Sequence, residues 1–394
     1  MLKIMFVAGE ASGDLHASRV AAKIKELIPE ASLFGMGGDL MLAAGVDLEY
    51  NIADSAVMGF SEVLSSIPAL WKKLTRLKEI VVSSRPDALV LIDFPDFNMR
   101  LARYAHKLNI PVIYYIPPKA WAWRRYRARQ IAQITTVVAS IFPFEAEFYR
   151  RAGANVKYVG HPLLDFAKSA FNQREAKERF SLNPDEPVFG LMPGSRRKEV
   201  DRLLPVMLEV AHRIHEIIPT CQFLLPLAPT ISKAGLPEMP FVQVIEGEVY
   251  NIMRACDLMC IASGTATLEA ALMLTPMIII YKVSFSTWII LNSLVRLTHS
   301  GLPNIIAGRE IVQELLQSQA NPQLISKIAI ELLSDPNKIA RQKAELAKIR
   351  EQLGTEGAVE RIAKLVLKVA MGENDTTDLM DARRLNDMCP RASI

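Results

Sequence analysis

The feature that most constrains this chain is the alternation of short apolar runs with longer stretches of helical spacing. In the first half, apolar runs predict strands at residues 3–8, 88–92, 112–116, 136–139 and 156–159. Helical spacing separates several of them, as at 15–28 and 99–108. Because strands that alternate with helices pair in parallel, the sequence predicts a parallel sheet with helices on both faces.

The same alternation restarts after a charged stretch at 168–179, with strands predicted at 188–191, 222–226, 242–245, 258–261 and 277–281. A chain of 394 residues suits two domains. We therefore predict an α/β protein of two Rossmann-like, doubly wound domains whose sheets face one cleft, since ligands bind at the carboxyl ends of parallel strands. The predicted divisions are a first domain at 1–168, a second at 169–340, helices at 341–371 that pack back toward the first domain, and a disordered polar tail at 372–394.

Composition argues against several classes of protein. The 46 Lys and Arg against 42 Asp and Glu give a net charge of +4, which is too mild to favour nucleic acid as a partner. No apolar segment is long and uninterrupted enough to predict a membrane-spanning helix or an exported protein. The cysteines lack metal-ligand spacing and neighbouring histidines, so reduced thiols and no metal are predicted at Cys221, Cys256, Cys260 and Cys389.

The first predicted strand ends in GEASGD at residues 9–14. Its small residues permit a tight turn, and Glu10, Ser12 and Asp14 are candidates to hold phosphate or sugar hydroxyls. The alternative is that Ser12 or Asp14 caps the following helix.

A pair of carboxylates, Asp93 and Asp96, follows the strand at 88–92. A hydroxyl that attacks a sugar carbon needs a group to take its proton, and flanking phenylalanines can keep such a carboxylate basic by excluding water. Asp96 is the preferred base, with Asp93 orienting the loop. The alternative is that both aspartates cap a helix that begins near Met99.

An aromatic and basic segment follows the strand at 112–116. Trp121, Trp123 and Arg124 begin a run that also contains Arg125, Arg127 and Arg129, and this composition suits a phosphorylated sugar or an anionic headgroup. A stacking patch for single-stranded nucleic acid would look similar, and arginines on a solvated helix face are the simpler alternative.

Two small-residue turns in the second half resemble phosphate-binding turns. PGSR at 193–196 opens a helix whose N–H groups, with Ser195 and Arg196, could hold a diphosphate. SGTATLE at 263–269 opens another helix, where Glu269 could bind ribose hydroxyls and Ser263, Gly264 and Thr265 line the turn. Helix capping by Ser263 or Thr265 is the alternative. Asn304 brings an amide close to this region.

A helical apolar stripe runs from Phe60 to Leu77 and ends in a cluster of lysines and one arginine. Pro68 is expected to break this helix. One apolar stripe is what any core-packed helix shows, but a tryptophan beside lysines favours a surface that dips into anionic lipid. The predicted membrane patch consists of Val63, Leu64, Ile67, Leu70 and Trp71.

Taken in order, GEASGD, IDFPDFN (92–98), WAW (121–123), VGHPL (159–163), PGSR, SGTATLE and LPN (302–304) resemble the signature of the lipid-A-disaccharide synthase family. The resemblance covers residues 1 to about 370. It implies a GT-B glycosyltransferase that is inverting and uses no metal or cofactor. The implied reaction joins UDP-2,3-diacylglucosamine to 2,3-diacylglucosamine 1-phosphate through a β-1,6 link, with release of UDP. A peripheral location on the cytoplasmic face of the inner membrane is also implied, and a homodimer is possible.

The resemblance also implies roles for residues. Asp96 becomes the base, Arg196 with residues 263–269 holds UDP, and Trp121 with Glu10 lines the acceptor side. Pro118 and Lys119 depart from the small residues that the family has before WAW. Two alternatives stay open: another UDP-sugar enzyme such as a UDP-N-acetylglucosamine 2-epimerase or the transferase that completes the peptidoglycan lipid precursor, and a non-catalytic protein that kept the fold.

Overall fold

The computed structural model describes residues 1–52, 63–123, 125–237, 239–283 and 299–373. The chain forms two compact units, one of residues 1–165 with the chain from Leu353 onward, the other of residues 166–352. Each unit is built around one parallel sheet, which confirms the predicted fold class. The chain leaves the second unit at Leu353 rather than at 341, because the whole of helix Pro336–Gln352 belongs to the second unit.

The first unit contains a seven-stranded sheet in the order β3-β2-β1-β4-β5-β6-β7. Its strands are β1 Lys3–Ala8, β2 Ser32–Gly37, β3 Asp47–Asn51, β4 Ala88–Ile92, β5 Val112–Tyr115, β6 Val137–Ser140 and β7 Val156–Tyr158. Strands β1 and β4 pair in parallel through five residues each, from Ile4 opposite Ala88 to Ala8 opposite Ile92. Since the strand order reverses between these two strands, the loops that follow them lie at the switch point where such sheets bind ligands.

Helices cover this sheet and supply the rest of its core. They are α1 Ala11–Leu27, α2 Asp39–Ala43, α3 Val63–Ser84, α4 Pro95–Lys107, α5 Ala120–Trp123, α6 Tyr126–Ile134, α7 Pro143–Arg151, α8 Leu163–Phe166 and, from the end of the chain, α16 Ala358–Ala370. Helix α16 packs against α1 and buries Ile362, Ala363 and Val366 completely.

Side chains of the first unit fix the point where the chain re-enters it. The Tyr158 hydroxyl donates to the Leu353 carbonyl at 2.6 Å. The Asp165 carboxylate accepts from the N–H groups of Gly357 at 2.5 Å and Val359 at 3.0 Å, which satisfies the amino end of α16 as a capping acid does. The predicted return of C-terminal helices to the first unit is thus made by α16.

The second unit contains a six-stranded parallel sheet in the order β10-β9-β8-β11-β12-β13. Its strands are β8 Val188–Met192, β9 Gln222–Leu227, β10 Val242–Glu246, β11 Leu258–Ala262, β12 Met277–Tyr281 and β13 Glu314–Leu316. The helices are α9 Gln173–Arg179, α10 Arg197–Ile217, α11 Val249–Ala255, α12 Thr265–Leu272, α13 Leu302–Ala307, α14 Pro322–Leu333 and α15 Pro336–Gln352. The strand order again reverses between two paired neighbours, β8 and β11.

The structure differs from the sequence prediction in three strands and one helix. Strands β2, β3 and β13 were not predicted, and Pro68 does not break its helix, because α3 runs through it from Val63 to Ser84. In the described part of the chain, no helix combines the length and the apolar character that crossing a bilayer requires.

Cys221, Cys256 and Cys260 are buried free thiols, and Cys389 lies outside the described residues.

Candidate functional site

The two loops at the switch point of the first unit are in contact. A side chain at Gly9 would lie 2.3 Å from the ring of Phe94, so glycine is needed for the two loops to approach. Asn98 links the second loop to β1, because its buried amide nitrogen donates to the Val7 carbonyl at 3.5 Å as well as to the carbonyls of Ile92 at 3.2 Å and Asp93 at 2.8 Å. The structure therefore places residues 9–14 and 93–98 side by side.

The turn that carries Asp93 has an unusual backbone. Asp93 and Phe94 have φ of 46° and 49°, in the left-handed region where non-glycine residues are strained. The Asp93 carbonyl is held by the hydroxyl of Tyr114 at 2.9 Å as well as by Asn98. Partial burial raises the pKa of the Asp93 carboxyl, although the charge of Lys119 and a hydrogen bond from the backbone of Phe94 oppose the shift.

The predicted base, Asp96, lies in the first turn of α4 and is largely exposed. It forms an ion pair with Arg127 of α6, whose side chain is buried. Within the described residues, no side chain caps the start of α4, which begins at Pro95. The alternative in which Asp93 and Asp96 serve as caps of a helix near Met99 is therefore not supported.

The residues of the GEASGD turn have different roles. Glu10 and Ser12 are exposed at the start of α1. Asp14 is buried, and its carboxylate accepts from the backbone N–H groups of Gly38 at 2.7 Å, Leu40 at 3.2 Å and Met41 at 3.1 Å. Asp14 was predicted to bind the acceptor, and the structure gives its oxygens a structural role at the start of α2.

The segment after β5 presents a half-buried tryptophan. The Trp121 indole N–H donates to Glu145 of α7 at 3.3 Å, and the Trp121 ring meets Phe144 edge to face at 5.0 Å. The side chain of Trp123 and all of Arg124 lie outside the described residues.

Sequence reasoning missed Glu145 at this edge, and it named Lys119 only as a departure from the family pattern and Arg127 only as part of a basic run. Burial raises the pKa of Glu145 to about 7, against the smaller opposite effects of hydrogen bonds from Ser140 and Trp121 and of the Lys119 charge. The available signal for Glu145 was its place just after the predicted strand at 136–139, where an acid opens the next helix.

The VGHPL segment is part of the same edge but is packed inside it. His161 is buried, and its Nδ1 accepts from the N–H of Leu163 at 3.2 Å. Its ring lies 4.9 Å from that of Phe142. Burial, with smaller effects of His16 and Lys119, lowers the pKa of His161 to about 3, so this histidine is neutral at physiological pH.

In the second unit, the turns after β8 and β11 are neighbours because these strands pair from Leu258 opposite Phe189 to Ile261 opposite Met192. The first turn requires a glycine, since Gly194 has φ +111°. Arg196 is highly exposed and lies 3.3 Å from a Glu199 oxygen.

Helix α10 starts directly after this turn, and no described side chain caps it. The start of a 21-residue helix with uncapped N–H groups beside an exposed arginine suits a phosphate group.

The turn after β11 exposes Gly264 and Thr265. The Ser263 hydroxyl donates to the Ser300 carbonyl at 3.1 Å. Glu269 is half-buried on α12 and accepts from the Tyr250 hydroxyl at 2.9 Å. Neither Ser263 nor Thr265 caps α12 among the residues described.

The side chain of Asn304, which was predicted to contact the nucleotide, forms its hydrogen bonds inside the second unit. The side chain is fully buried. Its amide nitrogen donates to the Val312 carbonyl and to Glu314, and its oxygen accepts from the N–H groups of Ile311 and Val312. These bonds use the amide to fold the connection between α13 and β13.

Within the predicted membrane patch, the side chains of Val63, Leu64 and Ile67 lie outside the described residues. Leu70 is partly buried against the core of the first unit. Trp71 is 48% exposed, and the guanidinium of Arg100 lies 4.7 Å from its ring centre. Further along α3, Leu74 and Leu77 are buried, so the far end of the apolar stripe belongs to the core.

The sequence was compared with protein families and with known proteins, and both comparisons find related sequences along nearly the whole chain. A family model described as lipid-A-disaccharide synthetase matches residues 4–369. The lipid-A-disaccharide synthase of Geobacter sulfurreducens is 43% identical over 376 residues, which cover 93% of this chain and 97% of the relative. The enzyme of the same name from Nitrosococcus oceani is 41% identical over 377 residues, covering 94% and 97% respectively.

Solved structures with much lower identity have the same fold. The UDP-GlcNAc 2-epimerase of Neisseria meningitidis, bound to UDP-GlcNAc, aligns with a TM-score of 0.61 at 15% identity over 93% of this chain and 99% of that chain. A calicheamicin glycosyltransferase aligns with a TM-score of 0.64 at 13% identity over 95% and 99%. At these identities the likeness is one of fold alone.

Proposed function

The chain belongs to the lipid-A-disaccharide synthase family and is a glycosyltransferase of lipid A biosynthesis, and from this premise we propose the substrates, the residue roles and the location. The donor is UDP-2,3-diacylglucosamine and the acceptor is 2,3-diacylglucosamine 1-phosphate. The products are the β-1,6-linked disaccharide 1-phosphate and UDP. One observation carries the proposal: the loops at the switch point of each sheet contain the residue types that this reaction needs, which are carboxylates in the first unit and an arginine beside a helix start in the second.

The second unit binds the donor. Arg196 and the start of α10 take the diphosphate, because a guanidinium and free helix N–H groups stabilise the negative charge that grows on departing UDP. The neighbouring turn of Ser263, Gly264 and Thr265 lines the nucleotide, with Glu269 directed to ribose hydroxyls. The UDP-GlcNAc bound to the epimerase of the same fold supports a UDP-sugar as ligand.

The first unit supplies the base and the acceptor contacts. The acceptor hydroxyl oxygen attacks the anomeric carbon, the bond from that carbon to the UDP oxygen breaks, and the hydroxyl proton passes to the Asp96 carboxylate. Arg127 holds this carboxylate in place. Asp93 orients the loop and is the second candidate for the base, since its raised pKa favours proton uptake. Glu10, Ser12 and Trp121 contact the acceptor, with Trp123 and Arg124 in the same segment.

This attack inverts the anomeric centre, and the roles assigned above use no metal or cofactor. The protein works at the cytoplasmic face of the inner membrane, to which Trp71 and the lysines of α3 attach it without crossing. An exposed tryptophan beside cations is suited to the headgroup region of anionic lipid. A homodimer is compatible with this arrangement, and nucleic acid is not a partner.

The test is release of UDP by the purified protein from the diacylated donor and acceptor, compared with the unacylated sugars. We expect release with the acylated pair and little with the unacylated pair. Equal turnover of the two pairs would remove the lipid substrates from the proposal. Turnover of UDP-N-acetylglucosamine to its 2-epimer, without an acceptor, would instead favour the epimerase reaction of the structural neighbours.

A further inference from the structure

Helix α7 holds the loop that follows β5 from one face. Tyr149 donates its hydroxyl to the Pro118 carbonyl at 2.5 Å, and Glu145 accepts from the Trp121 indole at 3.3 Å. These two residues stand four apart on α7, so they project from the same side of the helix. Their bonds fix the loop at both ends of the segment 118–121.

Glu145 is a buried acid with a fixed partner on each of its two oxygens. Only 2% of it is exposed, and a buried carboxyl is unfavourable unless its bonds compensate. Ser140, itself fully buried, donates to the second Glu145 oxygen at 2.9 Å. The carboxyl is thus held by β6 and directed at the indole of the loop.

The fixed indole determines what Trp121 can offer to a ligand. Its N–H points inward to Glu145, and its ring is set against Phe144 at an interplanar angle of 90°. Since the residue is half-buried, the part of Trp121 that stays accessible is apolar ring surface. Trp121 can therefore contact a sugar ring or an acyl chain, but it cannot donate a hydrogen bond to it without leaving Glu145.

Lys119 lies between the two fixed points and is exposed. Lys119 follows β5, which pairs with β4 up to Tyr115 opposite Ile92, so its backbone lies at the same edge of the sheet as Asp93. Its charge lowers the pKa of Asp93 against the larger effect of burial. The acceptor assigned above carries a phosphate, and an ammonium is a suitable ligand for that group.

Resting on the function proposed above, we propose that Glu145 and Tyr149 are positioning residues that hold the 117–121 loop so that Lys119 binds the phosphate of the acceptor. In this arrangement Lys119 binds the acceptor phosphate, and the ring of Trp121 packs against the sugar or the acyl chain next to that phosphate. Glu145 and Tyr149 touch no substrate and act through the loop.

The experiment compares two acceptors, 2,3-diacylglucosamine with and without its 1-phosphate, by UDP release at saturating donor. For Lys119→Met we expect KM for the phosphorylated acceptor to rise about 10-fold or more, as loss of a charge-assisted contact implies. We expect KM for the unphosphorylated acceptor and for the donor to stay within about 2-fold of the wild-type values. A 2-fold change in KM corresponds to less than half of the free energy that a tenfold change represents. Equal rises for both acceptors would exclude phosphate recognition by Lys119.

Glu145→Leu and Tyr149→Phe test the positioning role. Each should raise KM for the phosphorylated acceptor, and neither should add its full effect to that of Lys119→Met, because the variants disrupt one arrangement. Glu145→Gln should restore the wild-type KM, since its amide can donate to Ser140 and its oxygen can accept from Trp121. Additive effects, or a loss in Glu145→Gln equal to that in Glu145→Leu, would overturn the proposal.

Misfolding is separated by thermal unfolding of each variant. Tyr149→Phe and Glu145→Gln preserve side-chain shape, so the proposal stands or falls on these two if Glu145→Leu does not fold. Failure of this proposal is also distinct from failure of the proposed function. In the first case the wild-type protein releases UDP and the acceptor KM does not respond, and in the second the wild-type protein releases none.

Discussion

Arg127 and Asp96 form an ion pair between two helices whose side chains differ greatly in exposure. The Arg127 side chain is 8% exposed and the Asp96 side chain 73%. The arginine is fixed by packing, and the carboxylate extends from it toward solvent. Such a pair restricts the geometry of the exposed partner, which is what a base aimed at one hydroxyl requires.

The first prediction concerns this pair. Asp96→Ala should lower kcat by about 100-fold or more, the range expected for loss of a general base, while the Kd for UDP stays unchanged. Arg127→Gln should lower kcat by about 10-fold, because the carboxylate is present but less well oriented. Steady-state kinetics and calorimetric titration with UDP provide the measurements.

Asp93→Asn is the matched comparison for Asp96→Asn. If Asp93→Asn abolishes turnover and Asp96→Asn does not, the base is Asp93. Residual activity near the wild-type level in both variants would place the base outside this loop.

The second prediction concerns the donor. Arg196→Ala should weaken UDP binding by about 10- to 100-fold, because a charged hydrogen bond to a phosphate contributes about 1.5–3 kcal/mol. Isothermal titration with UDP measures the change. Arg174→Ala is the control, since that arginine belongs to the same unit and pairs with Glu178 and Asp185 instead. Equal losses in the two variants would indicate a general effect of charge.

The third prediction concerns Asp14. Asp14→Ala leaves the N–H groups of α2 without their acceptor, so it should lower the free energy of unfolding by about 1–3 kcal/mol and leave the acceptor KM unchanged. Ser12→Ala should raise the acceptor KM and leave the free energy of unfolding unchanged, because Ser12 is exposed. Denaturant unfolding and acceptor titrations separate the two effects. A raised KM in a fully stable Asp14→Ala protein would return Asp14 to the binding site.

The fourth prediction concerns attachment to lipid. Replacing Val63, Leu64 and Ile67 by serine should release the protein from anionic vesicles, so that in a flotation assay it stays in the bottom fraction instead of rising with the vesicles. The melting temperature should not fall. Leu70 stays unchanged in this variant, because it packs against the core.

Leu77→Ser provides the contrast on the same helix. Leu77 is fully buried, and replacing a buried leucine by a small residue costs about 2–5 kcal/mol. If the triple serine variant unfolds as Leu77→Ser does, residues 63–67 belong to the core.

The fifth prediction uses the raised pKa of Glu145. The carboxyl takes up its proton at about pH 7 in the folded protein and nearer to 4.5 in the unfolded chain. The folded state therefore binds more protons between these values, and its stability falls as pH rises through them. Relative to Glu145→Gln, the wild-type protein should lose about 3 kcal/mol at most between pH 4.5 and pH 7, and nothing more above.

Denaturant unfolding of both proteins across this pH range measures the difference. A constant difference between wild type and Glu145→Gln would mean that Glu145 titrates in the folded protein as it does in the unfolded chain.

The central strands could be predicted from the sequence because both of their faces are buried and their residues are apolar without interruption, as in β4. Two of the three strands that were not predicted, β3 and β13, lie at the edges of their sheets, where one side is not paired and polar residues such as those of DLEYN are tolerated. The third, β2, is paired on both sides, but its sequence SLFGMG contains two glycines that interrupt the apolar run.

The site was predictable where one loop carries a motif and unpredictable where partners are distant in sequence. Asp96 was proposed as the base from its own loop, but its pairing with Arg127 depends on the packing of α4 against α6. Asp14 and Asn304 have the residue types of a binding site, and their use as backbone acceptors and donors depends on α2 and on the 311–312 segment. No local pattern contains that information.

Helix α16 has a consequence for biosynthesis. Residues 1–165 of the first unit are translated first, yet the helix that covers α1 leaves the ribosome only after the whole second unit. Until then, the surface that Ile362 and Val366 cover is open on the nascent chain, and apolar surface of this kind promotes aggregation. A premature stop before codon 358 would thus remove a piece of the amino-terminal unit and leave the second unit intact.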